Sequence, residues 1–112
     1  MPYVHVETNQ VVKEDSVLSQ ISSFMTTLLD KPENWMMISI DDQKKMIFAG
    51  QTEPCAIIQI KSIGLSVNQC KEIAPKICSF FESLLLIPGE RIYIDMIDID
   101  RRMFAWNGNI FG

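Results

Sequence analysis

The stretch Pro2-Tyr3-Val4-His5-Val6-Glu7-Thr8 follows Met1 and alternates apolar with polar side chains. Alternation with a period of two predicts a strand with one buried face, here over residues 2–8. The proline that opens it has two interpretations. Proline is tolerated at the start of an edge strand because it has no N–H to donate. If Met1 is removed, as a small second residue normally permits, Pro2 would also carry a free secondary amine that can act as a general base.

Two segments further along the chain have the period of a helix. Apolar residues recur every three or four positions over residues 15–29, and Pro32 cannot continue that helix. The second segment, residues 66–85, begins with a capping-box pattern of serine and glutamine. Pro75 lies inside it, so either this helix has a kink or its regular part begins just before the proline.

Three more segments predict strands because they are rich in β-branched and other apolar residues. They are residues 35–41, residues 55–61, which are followed by a break at Gly64, and residues 91–97. The tail over residues 103–112 is aromatic and contains glycine, and the pattern predicts no regular element there.

The two halves of the chain share one layout. A shift of 56 positions brings Pro32 onto Pro88 and superposes the predicted helices and strands. One domain over residues 1–112 is therefore expected, with pseudo-repeats of about 2–56 and 57–112 that each form a β-α-β unit. Right-handed crossovers place both helices on one face of a four-stranded mixed sheet, an α+β fold. The other face stays open, which predicts oligomerisation through it.

Composition excludes several classes of function. The chain has 112 residues, 47% hydrophobic, with a net charge of −4 and no basic block, so a nucleic-acid partner is not expected. Three cysteines, an odd number, indicate no disulfide framework and favour a reducing, cytoplasmic location. No signal-peptide pattern and no apolar run of membrane-spanning length is visible, so no membrane partner is expected either.

Six short motifs occur in one order along essentially the whole chain. They are Met1-Pro2, Asp30-Lys31-Pro32, Thr52-Glu53-Pro54-Cys55-Ala56, Ser62-Ile63-Gly64, Arg91-Ile92-Tyr93-Ile94 and Trp106-Asn107. Together they resemble the macrophage migration inhibitory factor family of the tautomerase superfamily. The resemblance implies a homotrimer with an active site at each subunit interface.

The same resemblance implies an activity and a set of site residues. It implies cofactor-independent keto–enol tautomerisation of small aryl-substituted 2-oxo acids, phenylpyruvate-type or dopachrome-type, with Pro2 as the general base. Lys31 and the backbone N–H of Ile63 would hold the substrate. The remaining residues implied to line the pocket are Tyr93 and Asp95, expected near it from a neighbouring subunit, and Phe104, Trp106 and Phe111.

The implied chemistry is consistent with these residue types. A keto–enol shift moves one proton between carbon and oxygen, so one base that also returns the proton is sufficient. Burial and a neighbouring cation such as Lys31 both disfavour protonated Pro2 and keep it basic near neutral pH. A backbone N–H at Ile63 can donate to the substrate oxygen on which charge develops.

Each of these residues also has a purely structural interpretation. Lys31 suits the end of a helix, where a cation complements the helix dipole. Tyr93 and Trp106 are residues that commonly pack cores and interfaces. His5 lies in a strand with no visible cysteine or acidic ligand set, so no metal site is expected.

The chain departs from the family pattern at three places. The stretch Cys55-Ala56-Ile57-Ile58 lacks a second thiol, so no dithiol–disulfide cycle is expected there. Asp95 stands where an uncharged amide is expected, and it either weakens the activity or pairs with Arg101 or Arg102. Phe104 is bulkier than the expected aliphatic residue, which predicts a narrower pocket.

A second function from another class remains open. Some members of the resembled family are cytokine-like proteins that bind a cell-surface receptor. This chain would then be a secreted protein, exported without a signal peptide, with vestigial tautomerase activity. A trimeric scaffold with residual activity is a third alternative, and the sequence identifies no receptor surface.

Overall fold

The computed structural model describes residues 2–112, and the expected removal of Met1 lies outside the described residues. The elements in chain order are β1 (Tyr3–Thr8), α1 (Ser16–Leu29), β2 (Met37–Asp41), β3 (Ala56–Ile63), α2 (Val67–Leu85), β4 (Ile92–Ile99), β5 (Ala105–Trp106) and β6 (Asn109–Ile110). Each main helix and strand lies within about two residues of its predicted bounds. The tail also contains a short β5–β6 hairpin, which the sequence did not predict.

The four long strands form one mixed sheet in the order β2-β1-β3-β4. Strand β1 is parallel to β2, β3 is parallel to β4, and β1 and β3 are antiparallel. The predicted α+β fold with two helices and a four-stranded mixed sheet is therefore confirmed. Strand β1 pairs on both sides, so the interpretation of Pro2 as the start of an edge strand is wrong.

The backbone follows the same path after α1 as after α2. Asp30 and Leu86 both adopt left-handed backbone conformations, with φ of 53° and 56°. Extended prolines follow, and then short 3-10 turns over Glu33–Trp35 and Gly89–Arg91 lead into β2 and β4. Each pair of features lies 56 positions apart. The first 3-10 turn is also why the second strand begins at Met37 and not at residue 35.

The core lies between the sheet and the two helices. In α2, Ile73, Ile77 and Phe81 are buried at a spacing of four residues, which places them on one helix face. Most of the other core side chains come from α1 and from alternate positions of the inner strands, and include Ile21, Met25, Leu29, Val4, Val6, Ile58 and Ile60. The α2 helix runs from Val67 through Pro75, so the alternative in which it begins just before that proline is wrong. Neither helix of residues 2–112 has the length and hydropathy needed to cross a bilayer.

The face of the sheet that carries no helix is mixed in character. Its centre is polar, with His5, Gln59 and Lys61 at inner-strand positions. Apolar side chains lie around this centre, among them Tyr93 and Met37, which are 62% and 65% exposed in the single chain. Oligomerisation through this open face stays a prediction.

Arg91 organises the long connection between β2 and β3. Its side chain donates hydrogen bonds of 2.9–3.2 Å to four backbone carbonyl oxygens, those of Phe48, Gln51, Glu53 and Pro54. The guanidinium carbon also lies 5.2 Å from the centre of the Phe48 ring. A side chain of the second repeat therefore anchors a loop of the first. Arginine is required because its planar guanidinium group has five N–H donors that point in several directions.

We expect Arg91→Lys to lower the free energy of unfolding by about 1–3 kcal/mol. A lysine ammonium group cannot donate hydrogen bonds to all four carbonyl oxygens, so some of them would lose their partner. Urea denaturation monitored by circular dichroism measures the change. Arg101→Lys is the matched control, because Arg101 is exposed, and it should change the free energy by less than about 0.5 kcal/mol. Equal effects of the two substitutions would contradict this role for Arg91.

Candidate active site

Pro2 is buried at the beginning of the inner strand β1. Its carbonyl oxygen accepts a hydrogen bond of 3.1 Å from the backbone N–H of Met37, the first residue of β2. The antiparallel register pairs Tyr3 with Lys61 of β3. Pro2 is therefore held between two neighbouring strands, which fixes where its ring nitrogen lies.

A cavity of about 370 Å³ adjoins this proline and is called the Pro2 cavity below. Its volume falls in the lower part of the range of small-molecule sites. Its lining residues are Pro2, Tyr3, Asn34, Trp35, Met36, Met37, Lys61, Phe104, Ala105 and Trp106. Apolar and aromatic groups dominate this lining, and within residues 2–112 Lys61 is its one charged member. Such a cavity suits a small aryl compound that carries a negative charge.

An aromatic cluster forms one wall of the Pro2 cavity. Trp35 meets Trp106 edge to face, with ring centres 4.8 Å apart and planes at 78°. Phe111 lies 6.1 Å from Trp35 and 6.0 Å from Phe104, and its N–H donates to the Phe104 carbonyl at 3.1 Å. Phe104 and Trp106 line the Pro2 cavity, whereas Phe111 packs against Phe104 and Trp35 and is not among the lining residues. The role of these three residues in binding substrate stays a prediction.

The sequence analysis missed Trp35 as a residue of the site. The apolar pattern predicts a strand over residues 35–41, but Trp35 lies in the 3-10 turn that precedes β2. A signal was available, because parallel pairing of β1 with β2 brings the residues before the two strands to the same end of the sheet. The same reasoning applies to Asn34 and Met36, which also line the Pro2 cavity.

Lys31 and Ile63 lie together, but they do not line the Pro2 cavity. They line a second cavity of about 310 Å³, called the Lys31 cavity below. Gly64 follows Ile63 with φ of +87°, a left-handed conformation that favours glycine. Ser62 also lines the Lys31 cavity, and its buried hydroxyl has no hydrogen-bond partner within residues 2–112.

Tyr93 and Asp95 lie on β4 and line neither of these two cavities of their own chain. The Tyr93 ring packs 4.8 Å from the ring of Phe48. Asp95 is exposed and forms no ion pair with another residue of the described chain. The suggested partner Arg102 binds Asp100 instead, at 2.7 Å.

An acidic set does surround His5, contrary to the sequence analysis. His5 Nε2 lies 2.8 Å from Asp41 Oδ2 and 3.9 Å from Glu7 Oε1. The sequence could not show this because Asp41 reaches Glu7 only through the parallel β1–β2 register. The three residues offer one nitrogen and two carboxylates as candidate metal ligands. In the structure Asp41 is hydrogen-bonded by His5, and Lys44 Nζ lies 3.7 Å from the other Glu7 oxygen.

A tight turn follows β4 and leads the chain to the aromatic residues beside the Pro2 cavity. The Asp100 carboxylate accepts hydrogen bonds from Arg102 Nε at 3.0 Å, Arg102 Nη2 at 2.7 Å and the Arg102 backbone N–H at 3.0 Å. These bonds, those of the side chain first, hold the pKa of Asp100 below its ordinary value. The turn over Arg101–Met103 leads directly into Phe104.

Two β-α-β units joined in one sheet, with a buried proline at the start of an inner strand beside an aromatic cavity, define a protein of the tautomerase superfamily. The family model described as macrophage migration inhibitory factor (MIF) matches residues 1–112. The chain belongs to this family.

Individual relatives agree along the full length of the chain. It is 34% identical over 119 aligned residues to a macrophage migration inhibitory factor homolog of Brugia malayi, with 100% of both chains covered. The solved structure of a homologue from Prochlorococcus marinus superposes with a TM-score of 0.90 at 35% identity, covering 98% of this chain and 99% of that one. The factor from Trichinella spiralis superposes equally well, with a TM-score of 0.90 at 25% identity, covering 97% and 99%.

Replacement of Arg102 should raise the pKa of Asp100. In Arg102→Gln the carboxylate loses the side-chain donors that favour its charged form, while the backbone donor remains, so we expect a partial rise toward the ordinary value. Because the folded-state pKa is lowered, the stabilisation is present above the unfolded-state pKa and is lost as pH falls through the folded-state value. Carbon-13 NMR titration of the carboxyl group measures the shift. Arg101→Gln is the control, and identical titrations of Asp100 in the two variants would contradict the assignment.

Proposed function

We propose that this protein is a cofactor-independent keto–enol tautomerase of small aryl-substituted 2-oxo acids, with the nitrogen of Pro2 as general base. The observation that carries the proposal is the burial of Pro2 at the start of β1, beside an aromatic cavity of about 370 Å³. Membership of the macrophage migration inhibitory factor family supports tautomerase chemistry. Phenylpyruvate-type and dopachrome-type compounds are the proposed substrates.

The proposed reaction needs one proton and one base. After removal of Met1, the unprotonated Pro2 nitrogen takes a proton from the carbon next to the substrate's carbonyl group. The electron pair of that C–H bond forms the C=C bond, and the carbonyl electrons move to oxygen. The protonated nitrogen then returns its proton to that oxygen, which yields the enol and the free amine. The reverse sequence converts enol to keto, so no external acid, oxidant or reductant is consumed.

The chain offers groups that would favour each step. Burial of Pro2 disfavours its charged form, so the amine would act as a base near neutral pH. The aromatic wall of Trp35 and Trp106 would hold the aryl group. The proposed site extends from the Pro2 cavity into the Lys31 cavity, which adjoins it along β3, so that the Ile63 N–H would donate to the developing oxyanion and Lys31 would attract the substrate's carboxylate.

The proposal includes a homotrimer in which a neighbouring subunit completes the site. Tyr93 and Asp95 lie away from the Pro2 cavity of their own chain. The half-polar open face of the sheet, with Tyr93 62% exposed, is available for contact with other copies. Each active site would then combine Pro2 of one chain with Tyr93 of the next.

Blocking the Pro2 nitrogen should abolish the activity. We expect intact-mass analysis to show Met1 removed. A variant with one alanine inserted before Pro2, which converts the amine to an amide, should lose about 10²–10⁴-fold in kcat/KM for phenylpyruvate. Its thermal unfolding should match that of the unmodified protein, which separates loss of the base from loss of the fold. Full activity of a preparation that wholly retains Met1 would overturn the mechanism.

Complementation between two inactive variants tests the shared site. Sedimentation equilibrium should give about 38 kDa, three times the 12.8 kDa of one chain. The alanine-insertion variant and Tyr93→Ala should each be much less active than the unmodified protein. Trimers reassembled from a mixture of the two should recover part of the activity, because some interfaces then pair an intact Pro2 with an intact Tyr93. An active monomer, or no recovery in mixed trimers, would contradict the shared site.

A further inference from the structure

His5, Glu7 and Asp41 converge on the open face of the sheet, outside the Pro2 cavity. His5 and Glu7 are two residues apart in β1, so their side chains lie on the same face. The parallel register places Asp41 of β2 directly beside Glu7. One imidazole and two carboxylates from two neighbouring strands therefore meet at one point.

The two carboxylates of this cluster are like charges placed side by side on paired strands. Such a pair is destabilising unless a cation lies close to it. Lys44 is a partial answer, because its Nζ lies 3.7 Å from Glu7 Oε2. No lysine or arginine of residues 2–112 forms an ion pair with Asp41. With a neutral His5, two negative charges and one positive charge leave a net charge of −1, which attracts a further cation.

The ligand atoms of the cluster have a spacing that suits a small divalent ion. His5 Nε2 lies 2.8 Å from Asp41 Oδ2 and 3.9 Å from Glu7 Oε1, and all three atoms lie within 4.8 Å of one another. Zinc binds imidazole nitrogen and carboxylate oxygen at about 2.0–2.2 Å, which in a tetrahedron separates two ligands by roughly 3.4 Å. The two distances from His5 lie on either side of that value, so small side-chain rotations would complete the set.

We propose that this cluster binds a divalent transition-metal ion, with His5 Nε2, Glu7 Oε1 and Asp41 Oδ2 as ligands. Imidazole combined with carboxylate suits such ions, whereas Mg²⁺ and Ca²⁺ prefer oxygen ligands alone. Three protein ligands leave a fourth position for water. The ion would replace the hydrogen bond between His5 and Asp41 and join β1 to β2. The inference is independent of the proposed function, because none of the three ligands lines the Pro2 cavity.

The chain contains its own reporter of this site. His5 is its one histidine, so the imidazole signals in an NMR spectrum of the protein without a histidine tag come from this residue alone. Thiols are competing zinc ligands, and Cys70 and Cys78 are only partly buried. Zinc held by those thiols would leave the imidazole signals unchanged, so the spectrum separates the two kinds of binding.

The test titrates Zn²⁺ into the metal-free protein. We expect one equivalent per chain to shift the His5 imidazole signals and to raise Tm, because a ligand that binds only the folded state stabilises it. Asp41→Asn and Glu7→Gln each remove one ligand charge, keep the reporter, and should weaken zinc binding at least about tenfold. Glu72→Gln removes the same charge from an exposed position of α2 and should leave the affinity unchanged.

Lys44 gives a second test in which the expected effect has the opposite sign. Its ammonium group lies beside Glu7 and repels a metal ion bound there. Lys44→Gln should therefore tighten zinc binding by about three- to tenfold at low salt, and less at high salt. Lys76→Gln is the matched control, because Lys76 is exposed on α2, and it should not change the affinity.

The outcomes decide whether the cluster is a metal site. A shift of the His5 signals that is weakened in Asp41→Asn and Glu7→Gln and strengthened in Lys44→Gln supports the inference. Unchanged imidazole signals in excess Zn²⁺, a shift that survives both carboxylate substitutions, or equal responses to Zn²⁺ and Mg²⁺ would overturn it. The cluster would then be an ion network in which Lys44 and a proton on His5 balance the carboxylates.

Discussion

The double pairing of β1 is the constraint on which the rest of the molecule depends. Strand β1 forms hydrogen bonds with β2 on one side and β3 on the other, so it joins the two β-α-β units into one sheet. A proline at the start of an edge strand would lie at the margin of the sheet. At the start of this inner strand Pro2 is buried, and the beginnings of β1 and β2 lie together at one end of the sheet. The proposed catalytic nitrogen and the aromatic wall owe their proximity to this pairing.

The alternation of side chains along β3 places successive residues on opposite faces of the sheet, and both faces contribute to the candidate binding regions. Ile60 and Ser62 point toward the helices, and Lys61 and Ile63 point toward the open face. Lys61 lines the Pro2 cavity, and the next residue, Ser62, lines the Lys31 cavity. Ile63, on the same face as Lys61, lines the Lys31 cavity with Ser62, so the two cavities adjoin along β3. A lysine inside a strand, which carries no motif of its own, thus lines the same cavity as Trp35 and Trp106.

Much of the fold and part of the site could be predicted because their signals are local. Prolines, capping residues and hydrophobic period located both helices and four strands, and the 56-residue shift between Pro32 and Pro88 predicted the repeated units. The family resemblance also indicated Pro2, Phe104 and Trp106, which line one cavity, and Phe111, which packs against Phe104. Trp35, Lys61 and the acidic neighbours of His5 were missed, because their proximity depends on strand register and on residues far apart in sequence.

The sequence by itself determined the elements, their order and the family, because helical period, strand alternation and turn residues act over a few neighbouring positions. Only the tertiary structure decided that β1 is an inner strand, that Lys31 and Lys61 line two adjoining cavities, and that Arg91 binds four carbonyls of a distant loop. These facts depend on which strands pair and in which register. Such long-range pairing results from burial of the whole apolar face against both helices, and no local pattern encodes it.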